Sequence, residues 1–283
     1  MQGQVLFIVW RESVEALLVV GIIAAWLRTH PEAITGRKFL WGGIAMGLLT
    51  AFGLGAAILG LSQYFEGDQQ EYFQLAMVTL AAALIVQMVF WMRKHGRTLK
   101  RDMESGLAQH AAKANWWGMG MLVAVAIARE GSETVVFLYG LGLSQQGEHL
   151  FSFISSAALG FALAFATFLL LQVGSRIFSW RAFFRFTEIL LLLLAGAMLV
   201  SAVEKMIGLG WLPALLDPVW NSSALLDDNS TLGNLIAALT GYRAHPALTM
   251  VLAFALYWVA ITWKLKKVAA PSYPVKNVRN TGK

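Results

Sequence analysis

Seven stretches of this chain stay apolar over about the 20 residues that a helix needs to cross a bilayer, and that length limits what the chain can fold into. They lie near 5–27, 39–62, 72–92, 118–141, 150–174, 182–206 and 247–263. In hydrocarbon every backbone N–H and C=O must find a partner within its own segment, so the stretches read as helices. The expected fold class is therefore all-α, a polytopic membrane helix bundle. Composition agrees: 58% of residues are hydrophobic and 13% are charged, against about 25% charged in average soluble chains. Residues 1–265 read as one transmembrane domain. Residues 266–283 read as a basic cytoplasmic tail, with Pro271 and Pro274 among polar residues, for which disorder is expected.

The loops give an orientation. Arg28, Arg37 and Lys38 follow the first stretch, and Arg93, Lys94, Arg97, Lys100, Arg101 and Lys113 follow the third. Arg176, Arg181 and Arg185 follow the fifth, and the tail is basic again. The alternate loops carry Glu66, Asp68, Glu71, Glu148, Asp217, Asp227 and Asp228. Under the positive-inside rule the N-terminus is outside and the C-terminus cytoplasmic. The net charge of +6 thus belongs to helix ends and is no sign of nucleic-acid binding. No Lys or Arg precedes the first apolar run and no small-residue cleavage site follows it, so the first helix is expected to be retained. Leu99, Met103 and Leu107, four apart in a basic loop, predict a short helix on the inner membrane surface. Gly43 with Gly47, and Gly53 with Ala57, read as small residues for close helix packing.

Charge interrupts two of the stretches in the same way. Arg11-Glu12-Ser13-Val14-Glu15 and Arg129-Glu130-Gly131-Ser132-Glu133 both spell Arg-Glu-x-x-Glu. A charge at the bilayer centre costs about 2.5–3.5 kcal/mol on insertion scales, so such residues line a polar pathway or pair internally. On a helix, Glu12 and Glu15 share a face, as do Glu130 and Glu133, and each arginine stands four residues before the second glutamate. One guanidinium cannot neutralise two carboxylates. Each motif keeps a surplus negative charge, whereas a purely structural ion pair would cancel. The expected orientation places the motifs on antiparallel helices, with segments 1–3 and 4–6 as an inverted repeat and segment 7 added. Transporters of that build hold their substrate at the repeat interface near the midplane.

The donor set narrows the substrate. There is no cysteine, and all five histidines (His30, His95, His110, His149, His245) fall in predicted loops, outside the apolar stretches. Carboxylates are hard donors, which favours iron over copper(I) or zinc and leaves manganese, magnesium, calcium and protons open. The alternative is a transporter of another divalent cation, or a proton-coupled exchanger working through the same carboxylates. A bundle di-iron enzyme would need Glu-x-x-His pairs, which no membrane segment contains. The expectation is a transporter without catalytic residues. Glu71, in the outer acidic cluster, Glu204, near the end of segment 6, and Tyr139 are accessory candidates. Glu188 reads as a local partner of Arg185.

The duplicated motif, the run Phe90-Trp91-Met92-Arg93-Lys94 and Gly241-Tyr242 shortly before Pro246 resemble the oxidase-dependent iron transporters, the high-affinity iron permeases of fungi and bacteria. The resemblance spans segments 1 to 7. It implies iron as transported substrate, no resident cofactor, and Glu12, Glu15, Glu130 and Glu133 as metal ligands with Arg11 and Arg129 in support. It implies a separate iron oxidase or periplasmic iron-binding protein as partner. The short loops fit the cytoplasmic (inner) membrane of a bacterium. Three positions depart from the bacterial pattern: Gln74-Leu75 stand where Glu-Gly is usual, Met206-Ile207 where a His-Glu pair is usual, and Ser13 where glycine is usual.

Overall fold

The computed structural model describes residues 2–30, 35–95, 98–113, 115–141, 150–173, 180–228 and 230–269. Helices account for the regular structure: α1 Gln2–Thr29, α2 Gly36–Tyr64, α3 Asp68–His95, α4 Leu99–Ala112, α5 Trp116–Gly140, α6 Leu150–Val173, α7 Trp180–Gly208, α8 Thr231–Thr240 and α9 Leu248–Ala269. The five helices α2, α3, α6, α7 and α9 are long and apolar enough to cross a membrane. The remaining long ones, α1 and α5, have 28 and 25 residues, about 42 and 37 Å at 1.5 Å per residue. What separates them from the other five is the motif charge they carry. Pro31, Glu148 and the tail from 270 onward lie outside the described residues; residues 266–269 are helical, not disordered, because α9 runs on past its apolar stretch.

Close approach of small residues sets the largest contact, between α2 and α5. A Cβ on Gly43 would meet the Gly120 carbonyl at 2.4 Å, and one on Gly47 would meet the Ala124 carbonyl at 2.8 Å. One turn further, Ala51 lies 2.5 Å from where a Cβ of Gly131 would stand. Residue numbers rise together, so the two helices are parallel. The next contact, α1 on α6, has the same character: a Cβ on Gly160 would lie 2.8 Å from the Leu6 carbonyl. The third, α3 on α7, is antiparallel, with Lys205 Nζ donating to Gln74 Oε1 at 2.9 Å near one end and Arg93 bridging Glu188 near the other. That bridge corrects the expected Arg185–Glu188 pair, since Glu188 faces α3 and Arg185 is exposed. Ile85, Phe137, Leu194 and Ala195 form the dry centre of the bundle among α3, α5 and α7.

Two further expectations change. Helix α4 forms where the spacing places it, but Met103 and Leu107 are buried against Ile23, Trp26 and Met119. Its apolar side docks on α1 and α5, whose ends offer their own apolar surface. Gly53 has open space at its Cβ and Ala57 is exposed, so this pair faces outward while Gly43 and Gly47 pack. Phe52 (73% exposed) and Leu49 (71%) share that outer face of α2, as expected of a surface meeting acyl chains. Helix α8 was not expected at all: its 10 residues fall far short of a span.

Different outcomes are expected for bulk at these glycines. Gly47→Leu must push α2 from α5 and is expected to lower stability by about 1–3 kcal/mol or more. Gly53→Leu, with space to accept it, is expected to stay within about 0.5 kcal/mol of wild type. Thermal unfolding of both variants in one detergent checks the difference, and equal losses would contradict this packing.

Candidate metal centre

Both motifs sit within unbroken helices whose neighbours decide which way they face. Leu27, near the end of α1, approaches Met119 at the start of α5 through Gly36, while Glu12 meets Glu130 and Glu133 further along. The two helices are therefore antiparallel and cross with their acidic faces toward each other. Carboxylate oxygens of Glu12, Glu130 and Glu133 lie within 4.8 Å of one another. Glu12, Glu15 and Glu130 are buried.

The two arginines do different things. Arg11 is 3% exposed. It donates to Glu12 Oε1 at 2.6 Å through Nη1, bridges Glu15 through Nη2, and also reaches Met88 Sδ on α3 at 2.7 Å. Arg129 donates through Nε to Glu133 Oε1 at 2.9 Å, and its guanidinium lies 4.3 Å from the centroid of the Trp91 ring. Its side chain is 35% exposed. Among the described residues no salt bridge reaches Glu130. Four glutamates against two arginines leave two negative charges when all are ionised.

Hydrogen bonding shows where that charge points. Glu12 Oε2, Glu130 Oε2 and Glu133 Oε2 are buried and lack a hydrogen-bond partner. A buried, unpaired carboxylate oxygen costs free energy that a cation between the three would recover. Three hard oxygens from three residues suit an oxygen-seeking cation, with further positions open to water or substrate-borne ligands. Ser132 Oγ donates to the Arg129 carbonyl and Thr134 Oγ1 to the Glu130 carbonyl, both at 2.8 Å. These hydroxyls serve the backbone, as is usual within membrane helices.

Of the four glutamates singled out in the sequence, Glu12, Glu130 and Glu133 have oxygens within 4.8 Å of one another, and Glu15 is bridged by Arg11. Tyr139 is buried, with its hydroxyl unpartnered, and its ring meets Phe73 edge-on. With Glu12, Ser13, Glu130 and Thr134 it lines a cavity of about 1150 Å³ between α1, α2, α5 and α6, whose remaining walls are apolar apart from Ser152 and Ser156 of α6. Glu71 stands in the exposed first turn of α3. Glu204 is bridged by Arg243, 3.0 Å from Nη2, so it is an ion-pair partner away from the cluster. Met88 and Trp91 were not singled out as site residues. Trp91 stood in the Phe90-Trp91-Met92 run without a role, and no local spacing signals that it backs Arg129.

Similarity places the chain. The profile of the iron permease FTR1 family matches residues 3–271. The ferrous iron permease EfeU of Escherichia coli O6:H1 is 30% identical over 254 residues, covering 89% of this chain and 91% of the relative. That of Yersinia pestis is 28% identical over 255 residues, covering 89% of each. No solved structure matches. This chain belongs to the iron permease FTR1 family.

Proposed function

We propose that this membrane transporter imports iron across the cytoplasmic membrane through one site built by both Arg-Glu-x-x-Glu motifs. The observation that carries this reading is the convergence of Glu12, Glu130 and Glu133 within 4.8 Å, each with a buried oxygen lacking a partner. Iron is the transported substrate, and the relatives are named ferrous iron permeases. A separate iron oxidase or periplasmic iron-binding protein supplies it on the outer side.

Seven spans carry the path: α1, α2, α3, α5, α6, α7 and α9. The paired charges of α1 and α5 are sheltered from lipid by each other and by α2, α3 and α6, which lets both helices cross despite their charge. The helix contacts support an inverted repeat of α1–α3 and α5–α7. Exchanging α1 with α5, α2 with α6 and α3 with α7 turns the α2–α5 contact into the α6–α1 contact and leaves α3–α7 unchanged. Both exchanged contacts are parallel and rest on glycine. With basic loops facing the cytoplasm, the N-terminus is outside and α9 ends inside.

Release follows from the unequal arginines. Arg11 is fixed by two carboxylates in the interior. Arg129 is partly exposed and, among the described residues, bridges only Glu133, which also belongs to the cluster, so it is the guanidinium with room to shift toward Glu130 as the cation leaves.

Uptake of radioactive iron tests the reading. Glu12→Gln, Glu130→Gln and Glu133→Gln are each expected to lower uptake by about tenfold or more at normal expression, the scale on which even supporting groups affect metal sites. Wild-type uptake in any of the three would remove that residue from the path, and competition by manganese or zinc equal to that by iron would point to a general divalent-cation transporter. Arg11→Ala strands two buried carboxylates and is expected to lower stability by about 3–5 kcal/mol. Arg129→Ala is expected to leave a folded protein with impaired uptake. Equal thermal stability of the two alanine variants would contradict the division of roles.

A further inference from the structure

The segment between α7 and α9 does more than connect two spans. Helix α8 is capped at its start by Ser230, whose Oγ accepts from Gly233 N at 3.1 Å. It ends at Gly241, in the left-handed conformation with φ +77°. At that end the chain is deep. A Cβ on Gly241 would lie 3.0 Å from Cα of Ala197, which stands eleven residues before the last residue of α7. That is about 16 Å along the helix axis, or half of the roughly 30 Å hydrocarbon thickness.

The chain then climbs back. Arg243 donates to Ser201 Oγ and Glu204 Oε2 at 3.1 and 3.0 Å, and Ala247 packs with Val200 and Val203. Only there does α9 begin its own descent along α7, with Tyr257 donating to the Leu192 carbonyl at 2.7 Å. Down along a short helix, around a glycine and up again is the path of a re-entrant segment. Its non-helical limb is covered by protein, the condition under which such backbone is tolerated at membrane depth. Ser222 N donates to the Ala244 carbonyl at 3.0 Å and Val219 N to the Pro246 carbonyl at 2.9 Å, and Ala244 is fully buried.

The surface of α8 divides in the same sense. Gly233 and Ala237 face the protein. On the adjoining face, Gln4 Nε2 donates to the Ala238 carbonyl at 2.6 Å, and Leu235 leans on Gly3 of α1. Leu232, Leu235 and Ile236 remain exposed, Leu232 at 70%.

We infer that α8 is a re-entrant half-helix immersed in one leaflet, with Leu232, Leu235 and Ile236 against lipid acyl chains. The inference rests on the reading that α7 and α9 span the membrane. Hydrocarbon is the occupant because the exposed face is apolar and α8, ten residues long, rises only about 15 Å from the depth of Gly241 beside Ala197, which keeps it within one leaflet. The half-helix also fills the space between the start of α1 and α7. In the other half of the bundle α3 packs directly on α5, so α8 is where the two halves differ most.

The absence of cysteine makes the test direct. Single substitutions Leu232→Cys, Leu235→Cys and Ile236→Cys, all at exposed positions, are spin-labelled in the full chain and reconstituted in phospholipid vesicles. Leu256→Cys on α9 and Asn221→Cys in the polar loop serve as references. Power-saturation with oxygen and with a water-soluble nickel chelate is then read at each label. The expected result is that the three α8 labels match Leu256→Cys, open to oxygen and closed to nickel, while Asn221→Cys is open to nickel. Nickel access at α8 equal to that at Asn221→Cys, with Leu256→Cys still closed, would overturn the re-entrant helix and leave the spans intact. Protection of α8 from both reagents would overturn it in favour of a second copy or a protein partner. Nickel access at Leu256→Cys as well would overturn the spanning of α9 and the inference together.

Discussion

A guanidinium buried among apolar helices must be surrounded by its own counter-charges, and Arg11 meets that condition inside a single helix. Glu12 and Glu15 lie on either side of it, one residue and one turn away, so α1 carries its charge compensation wherever it goes. The remaining contact, to Met88 on α3, ties this unit to the neighbouring helix. Once Arg11 has taken one oxygen from each glutamate, the other oxygen of Glu12 has no partner within α1. Helix α5 is brought alongside with two more carboxylates, and the bundle gains a buried site whose carboxyl groups outnumber its guanidiniums. Most of what distinguishes this protein from a passive helix bundle follows from that imbalance.

Duplication of the motif does not make the two halves equal. The same five-residue pattern yields one arginine locked by two carboxylates and another half-open, bonded to one carboxylate and backed by an indole ring. Backing by Trp91 stabilises the cation without neutralising it, so Arg129 keeps its charge while retaining room to move. A symmetric pair would hold a cation equally well in both directions. The asymmetry offers a reason for transport to have a preferred exit, and it arises from what surrounds each copy: Met88 beside one, Trp91 beside the other.

Long apolar runs made most of the helices legible, because about 20 residues of hydrocarbon-soluble sequence permit little else. The motif residues were legible for the same reason in reverse, as charges in the wrong solvent. Rotation about the helix axes was not. It decides that Glu12, Glu130 and Glu133 come together, that Gly47 packs while Gly53 does not, and that Glu188 meets Arg93 across two helices instead of Arg185 within its own. Those outcomes depend on pairings between distant residues, Arg93 and Glu188 being 95 positions apart and Glu12 further still from Glu133, and no local pattern carries them. Helix α8 escaped notice because a ten-residue apolar segment between loop residues has the length of an ordinary surface helix. Only its contact with Ala197 reveals how deep it lies.

The central claim is that α1 and α5 contribute to one cation site, and a double-mutant cycle on iron binding by the purified chain addresses it most directly. Affinities of wild type, Glu12→Gln, Glu130→Gln and the double variant give a coupling between residues on different helices. A shared site requires clear non-additivity, of the order of 0.5–3 kcal/mol for residues acting on one ligand, with the double variant little worse than either single one. Strictly additive losses would mean that the motifs hold separate cations, and the account of a single site between them would fail.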